Sequence, residues 1–432
     1  MITPSSNTTS DTGDQAPVLF FPKPASSTQQ HATTTTPVPE SKIEVVEVNT
    51  LQQLAPWMNA WQELAKVACE PNVFYEPELL HPAFEQYFEK GLRILLATAK
   101  PRGCPKGAPL LCGLMPLVPS SDQKQIRLPS LESWRYPQAF LTTPLIRQDI
   151  GVEVLHAYWN HFSNSRNCPL WTTLTCVGAD GPFQQILSQF IQESDLPFFV
   201  RSMHRRAVFR PCDSSQEYFA RWSKVRRHSV TRLSKRLGEQ GRMHVASYRA
   251  GEPCEDWIKR FLELEERGWK GRVGTALSKS HSDQRFTSEM LHRCAANGKL
   301  QLLALQLDDK TIAMKCNITT GTNGFAWKIT YDEDYYKFSP GCVLEKENIE
   351  LLHHHREIAW MDSCATPNHP MIDSLWPDRR LVQSISIGTN QRGSRLAMSA
   401  LPLLRWTQQA IRTACAPKRK SPIRQSIKEP SE

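Results

Sequence analysis

One stretch limits the possible folds more than any other. Between Leu300 and Glu350, two apolar runs (Leu300 to Leu307 and Thr311 to Thr319) flank Asp308, Asp309 and Lys310, and a third run follows at Phe325 to Tyr331. The short polar break predicts an antiparallel hairpin, which the third run extends to three strands. An acidic loop then leads into Ser339, Pro340 and Gly341 and a helical pattern. Ser339 is placed to cap that helix. Pro340 suits the first helical position, where a missing N–H costs nothing, and Gly341 has no side chain to block approach to the free amides. An anion at such a helix start is favoured. The same cap also occurs where nothing binds, and Lys337 just before it adds only one flexible charge.

With 432 residues the chain is too long for one ordinary core. Two α/β domains are therefore expected, at 41–212 and 213–415, between an arm at 1–40 and a basic tail at 416–432. Ser, Thr, Pro and Gln dominate the arm, which cannot bury enough apolar surface to order itself. In the first domain, strands are expected at Ile43 to Val48, Leu92 to Ala99, Leu110 to Val118 and Leu170 to Val177, with an interrupted strand pair over Phe198 to Val208. Helices are expected from Leu51 to about Val67 behind the Thr50 cap, and at Val154 to Phe162 and Phe183 to Ile191. The second domain opens with one long basic helix from about Tyr218 to Gln240. A strand at Met243 to Tyr248 and helices at Glu252 to Gly268 and Ser282 to Asn297 follow. After the three strands and the Ser339 helix come strands at Ile358 to Asp362 and near Val382 to Ile387, then a helix from Ser394 to Arg412. No internal repeat is visible.

The net charge of +9 points to an anionic partner. Much of the excess lies between Arg201 and Arg242 and at Lys418, Arg419 and Lys420. The twelve cysteines show no CxxC pair and no repeated spacing, so they read as reduced, packed thiols. No Lys or Arg precedes Lys23 and no long apolar stretch is present. Neither a secretory signal nor a membrane span is expected, and the location expected is the cytoplasm. His353, His354 and His355 project about 100° apart on a helix and cannot converge on one ion, so no metal site is expected.

Three runs in order, LEERGWKGRVGTALS, YDEDYYKFSPGCVLEKE and MDSCATPNHPMIDSLWPDRR, resemble the GNAT-type acetyltransferases grouped around the CelD-like (cellulose biosynthesis protein-like, BioF-like) proteins. The resemblance covers about Arg226 to Ile387. The first half resembles that family only in its βα opening and the NVFYEPELL run. The resemblance implies a mixed α/β fold of tandem GNAT-like domains, each a mostly antiparallel sheet flanked by helices, distantly similar to FemAB-type transferases. It also implies acetyl-CoA or another acyl-CoA as co-substrate. The strand Trp327 to Tyr331 would splay from Ile358 to Asp362, with pantetheine in the gap and the pyrophosphate at Ser339 to Val343. Tyr331, Lys337, Ser339, Pro340, Gly341, Cys342 and Val343 are thus the expected cofactor contacts.

Direct transfer to an amine or hydroxyl needs a base, oxyanion donors and an acid for the departing thiolate. Asp332, Glu333, Glu345, Asp362 and His369 are candidate bases. Asp362, closing an apolar strand, and Glu345, one turn into the helix, are the expected catalytic pair. A tyrosine acid is missing from Ser363, Cys364, Ala365 and Thr366, which leaves Cys364 or water for that role. Trp269, Lys270 and Arg272 read as a mobile acceptor clamp, or as an aromatic anchor with a solvated turn. Cys342 at the helix start reads as a small buried residue or as a stabilised thiolate nucleophile. The acceptor expected is a small molecule, a saccharide or a surface-polymer precursor. The rival reading is a non-catalytic GNAT-like module whose basic helix, with Arg226, Arg227, Arg232, Lys235 and Arg236, holds nucleic acid or an anionic polymer.

Overall fold

In a computed structural model of the protein, residues 39–102, 107–120, 128–165, 168–355 and 357–403 are described. The expected tail lies outside these residues, as does the expected arm apart from Pro39 and Glu40, which begin the first strand.

Thirteen strands form one mixed sheet. They are β1 (Pro39–Val48), β2 (Arg93–Pro101), β3 (Leu110–Pro119), β4 (Ser130–Ser133), β5 (Leu145–Ile146), β6 (Trp171–Gly178) and β7 (Phe198–Phe209). The series continues with β8 (Met243–Ser247), β9 (Leu300–Leu307), β10 (Lys310–Thr320), β11 (Asn323–Tyr331), β12 (Trp360–Asp362) and β13 (Asp378–Gly388). The order across the sheet is β1-β2-β3-β4-β6-β13-β7-β12-β11-β10-β9-β8, with β5 paired to β3 beside this path. Only the β4–β6 and β11–β12 pairs are parallel.

The order has a near symmetry. Each half supplies four successive outer strands, takes a parallel step, and would close on its last strand, but the last strands are exchanged. β13 lies beside β6 of the first half, while β7 lies beside β12 of the second, and β7 and β13 pair with each other. The described residues accordingly belong to one compact unit. The boundary expected near residue 212 follows directly on β7, whose two partners both come from the far side of it.

Helices cover both faces: α1 (Met58–Val67), α2 (Pro77–Gln86), α3 (Gly151–Asn164), α4 (Pro182–Ser194), α5 (Lys224–Gly238), α6 (Glu255–Arg267), α7 (His281–Ala296) and α8 (Pro340–His355). The strands of the Leu300 hairpin show how the sequence drives this packing. Leu302, Ala304, Cys316 and Phe325 pack with Phe261 of α6 and Phe286 and Met290 of α7. The alternate residues Leu303, Leu305, Ile329 and Tyr331 pack with Val343 and Leu344 of α8. A strand buried on both faces can afford no polar face, hence the nearly continuous apolar runs.

Several expectations needed correction. Pro56 interrupts the Leu51 helix with a 3-10 turn at Ala55–Trp57, because its ring excludes an interior helical hydrogen bond. Phe198 to Phe209 is one strand rather than an interrupted pair. The long basic helix is two helices, since the Ser223 hydroxyl caps a new start by accepting from the Arg226 N–H. The final helix starts at Ser394 as expected, and its expected continuation from residue 404 to Arg412 lies outside the described residues.

Candidate active site

β11 and β12 are in register only at Asn323–Trp360, Gly324–Met361 and Phe325–Asp362. Beyond Phe325 and Asp362 the two strands part, and a cavity of about 600 Å³ occupies the gap. Ala326 to Ile329 and Tyr331 form one wall, and Ser363 to Thr366 and His369 to Ile372 the other. Ser339, Gly341, Cys342 and Glu345 from the α8 start and Trp269 and Lys270 from the turn after α6 complete the lining. The ladder between β10 and β11 also shifts register between Cys316 and Ile318, just where the cavity begins.

Ser339 is not an N-cap in the expected sense. Its φ is +48° and its N–H donates to the Tyr336 carbonyl, so it ends the preceding 3-10 turn in the left-handed region, whereas an N-cap is extended. The Ser339 carbonyl takes the Cys342 N–H at 2.9 Å. Gly341 faces the cavity, and a Cβ there would stand 3.6 Å from the Met371 sulphur and the Tyr331 ring. The helix start therefore presents bare backbone to the gap, a setting that suits an anionic or extended ligand. Of the expected cofactor contacts, Tyr331, Ser339, Gly341 and Cys342 meet at the cavity. Pro340 and Val343 face inward from the helix and are buried, and Lys337 stands outside the lining. Burial raises the Cys342 thiol, which counts against the thiolate reading.

The two expected catalytic carboxylates part company. Glu345 lines the cavity and is fully buried. Its Oε2 accepts from the Lys315 ammonium at 2.7 Å, and its Oε1 from the Trp376 indole and the Asn348 amide at 3.0 Å each. Asp362 does not line the cavity. Its Oδ1 accepts from the Cys364 N–H at 2.7 Å and from Arg206 at 3.5 Å, and its Oδ2 from Arg380 at 3.1 Å. Arg380 reaches on to Glu70 of the first half. Both arginines are buried, so Asp362 is the hub of a charge network that links β7, β12 and β13. It also pins Cys364 in the left-handed turn (φ +54°) that borders the cavity. Burial, reinforced by Asp362, pushes the Cys364 thiol well up.

Among the other candidate bases, Asp332 pairs with Lys310 at 2.8 Å; partial burial pushes its carboxyl up, but Lys310, the Asp334 N–H and Arg267 together hold it below its ordinary range. Glu333 accepts the Trp269 N–H at 2.7 Å and pairs with Arg272. His369 lines the cavity, and its Nδ1 accepts the Ile372 N–H at 3.3 Å.

Trp269 to Arg272 is a helical turn rather than a loop. Lys270 donates to the buried Glu265 at 2.6 Å, and Glu333 holds the backbone of Trp269. Trp269 and Lys270 reach the cavity, whereas Arg272 is spent on Glu333. Sequence reasoning passed over Lys315, Trp327 and Lys328, which also line the cavity. The available signal was a lysine in the middle of an apolar strand, IAMKCNI and FAWKITY, where a cation requires a partner or a purpose.

With this geometry in view, residues 224–369 match the family of acetyltransferase (GNAT) domains. This segment is thus a GNAT-fold acetyltransferase domain, and it supplies the cavity lining apart from Pro370, Met371 and Ile372. No curated protein matches the chain. The crystal structure of FemX superposes with a TM-score of 0.52 at 10% identity, covering 82% of this chain and 100% of FemX, which shows a shared fold. A tandem GNAT protein from the clavulanic acid biosynthesis pathway aligns over 81% of this chain and 100% of its own, at 14% identity and a TM-score of 0.38. Among the described residues no helix is long and apolar enough to cross a membrane.

Proposed function

We propose that the protein transfers an acyl group from a coenzyme A thioester to an amine or hydroxyl acceptor by direct attack in the β11–β12 gap. The observation that carries this reading is the coincidence of three features in one cavity: the parting strands, the bare helix start at Gly341, and a buried Glu345–Lys315 pair on its floor. The thioester supplies an activated acyl group. Gly341 and its neighbours would hold the donor, since a Cβ there would already touch Met371 and Tyr331 and any longer side chain would fill the gap. Glu345 accepts the proton that the attacking nitrogen or oxygen gives up, and Lys315, bonded to the same carboxylate, returns one to the departing sulphur. Asp362 acts on the reaction only through Cys364, as a positioning residue. Acetyl-CoA binding measured by calorimetry tests the donor site: Gly341→Val should weaken it by tenfold or more with an unchanged unfolding midpoint. Undiminished affinity would move the donor site elsewhere.

A further inference from the structure

Three lysines line the cavity, and one of them lacks an acid. Lys270 is bonded to Glu265 and Lys315 to Glu345. Among the described residues no carboxylate comes within salt-bridge distance of Lys328, whose ammonium stands 5.2 Å from the centre of the Trp327 ring. Lys328 is opposite Cys316 in the ladder, on the face covered by α6 and α7. Lys315 is opposite Ile329, on the face covered by α8. The unpaired ammonium therefore lies across the sheet from the helix start at Gly341. The lobe around it is aromatic, with Trp327 buried beneath and Trp269, 50% exposed, at the rim.

We infer that this lobe receives the acceptor, and that the acceptor carries a carboxylate or phosphate group which pairs with Lys328 while a ring or apolar face rests on Trp269 and Trp327. The inference rests on the acyl-transfer reading and adds the substrate class. A partly buried ammonium without a counter-ion is costly. Burial and the adjacent Lys270 charge push Lys328 down to about 8, with Glu265, Asp283 and Cys316 acting the other way. A bound anion supplies the missing partner and favours the protonated amine, so affinity is greatest below that pH and falls above it. The phosphates of a coenzyme A donor share this anionic chemistry. The position of Lys328, across the sheet from Gly341, favours the acceptor.

The experiment follows Lys328 itself. Lysines of the full-length protein are dimethylated with ¹³C-formaldehyde, and the resonance absent from Lys328→Arg identifies its signal. Its titration midpoint is then measured alone, with inorganic phosphate, with glucuronate, and with acetyl-CoA. Phosphate or glucuronate should raise the midpoint by about one pH unit, equivalent to about tenfold tighter anion binding to the charged form. By calorimetry, Lys328→Gln should lose about tenfold in affinity for the same anion and keep its acetyl-CoA affinity. A midpoint that neither small anion moves overturns the inference. So does a midpoint moved by acetyl-CoA alone together with lost acetyl-CoA affinity in Lys328→Gln, because the anion is then the donor's. If wild-type protein binds no acetyl-CoA, the acyl-transfer reading fails, and the phosphate arm still decides whether the lobe holds anions.

Discussion

Asp362 and Glu345 are both carboxylates without solvent contact, yet their partners give them different tasks. Removing the charge of Asp362 leaves the buried Arg206 without a carboxylate and Arg380 with Glu70 alone, and breaking such a buried pair costs about 3–5 kcal/mol. Asp362→Asn should therefore show its effect first in chemical denaturation, as a large loss of midpoint. A midpoint like that of the wild type would show that the arginines find other partners. Glu345→Gln retains an oxygen for Trp376 and Asn348 but leaves the buried Lys315 without its carboxylate, so its midpoint should fall as well, and the proton acceptor is gone. With an acceptor in hand, single-turnover rates at saturating acyl-CoA should drop about 10²- to 10⁴-fold; equal rates would remove Glu345 from the chemistry. The different fates of these two residues were only half legible in the sequence. Both stood out as acids beside apolar runs. What separates them is Arg206, 156 positions from Asp362, and such a partner has no local trace.

The turn Trp269–Arg272 brings Trp269 and Lys270 to the cavity, and Gly271 fixes how it meets the preceding helix. A Cβ on Gly271 would lie 1.7 Å from the Glu266 carbonyl oxygen, and that oxygen belongs to backbone that cannot swing aside. Gly271→Ala should push the turn off α6 at a cost of about 1–3 kcal/mol. It should also displace Trp269 and Lys270, so the variant should lose affinity for cavity ligands beyond what its reduced stability explains. A variant with full stability would mean that the α6 carbonyls shift more easily than close packing allows. At this scale the sequence was informative wherever the determinants are neighbours. The Asp308–Lys310 hairpin, the three strands it starts and the helix at Pro340 all stand where the pattern placed them. Expectation failed where a short polar side chain or a proline redirected the backbone, as at Ser223 and Pro56. It failed at Ser339 too, where the preceding acidic turn, not the helix, sets the conformation.

Across the whole molecule the exchanged strands decide what can exist alone. A fragment of residues 41–212 would keep β6 and β7 but lose β13 from between them and β12 from the other side of β7, and so every ladder bond that β7 makes. Such a fragment should be unable to unfold cooperatively. A monomeric fragment with a sharp thermal transition would show that β6 and β7 can join directly. The exchange was illegible beforehand, because β7 and β13 both read as strands and nothing in either names its neighbour; pairing is decided by the assembled sheet.

The same exchange orders events in time. During synthesis, the strands on either side of the vacant place are made long before the segment that fills it, Asp378–Gly388, leaves the ribosome. Until then the nascent chain carries two open edges, the kind of surface on which chains aggregate. Closing that seam joins residues as far apart as Trp171 and Gly388, about half the length of the chain, and such distant contacts form slowly. A truncation shortly before Asp378 would spare every residue that lines the cavity, yet leave the chain permanently at that unfinished stage.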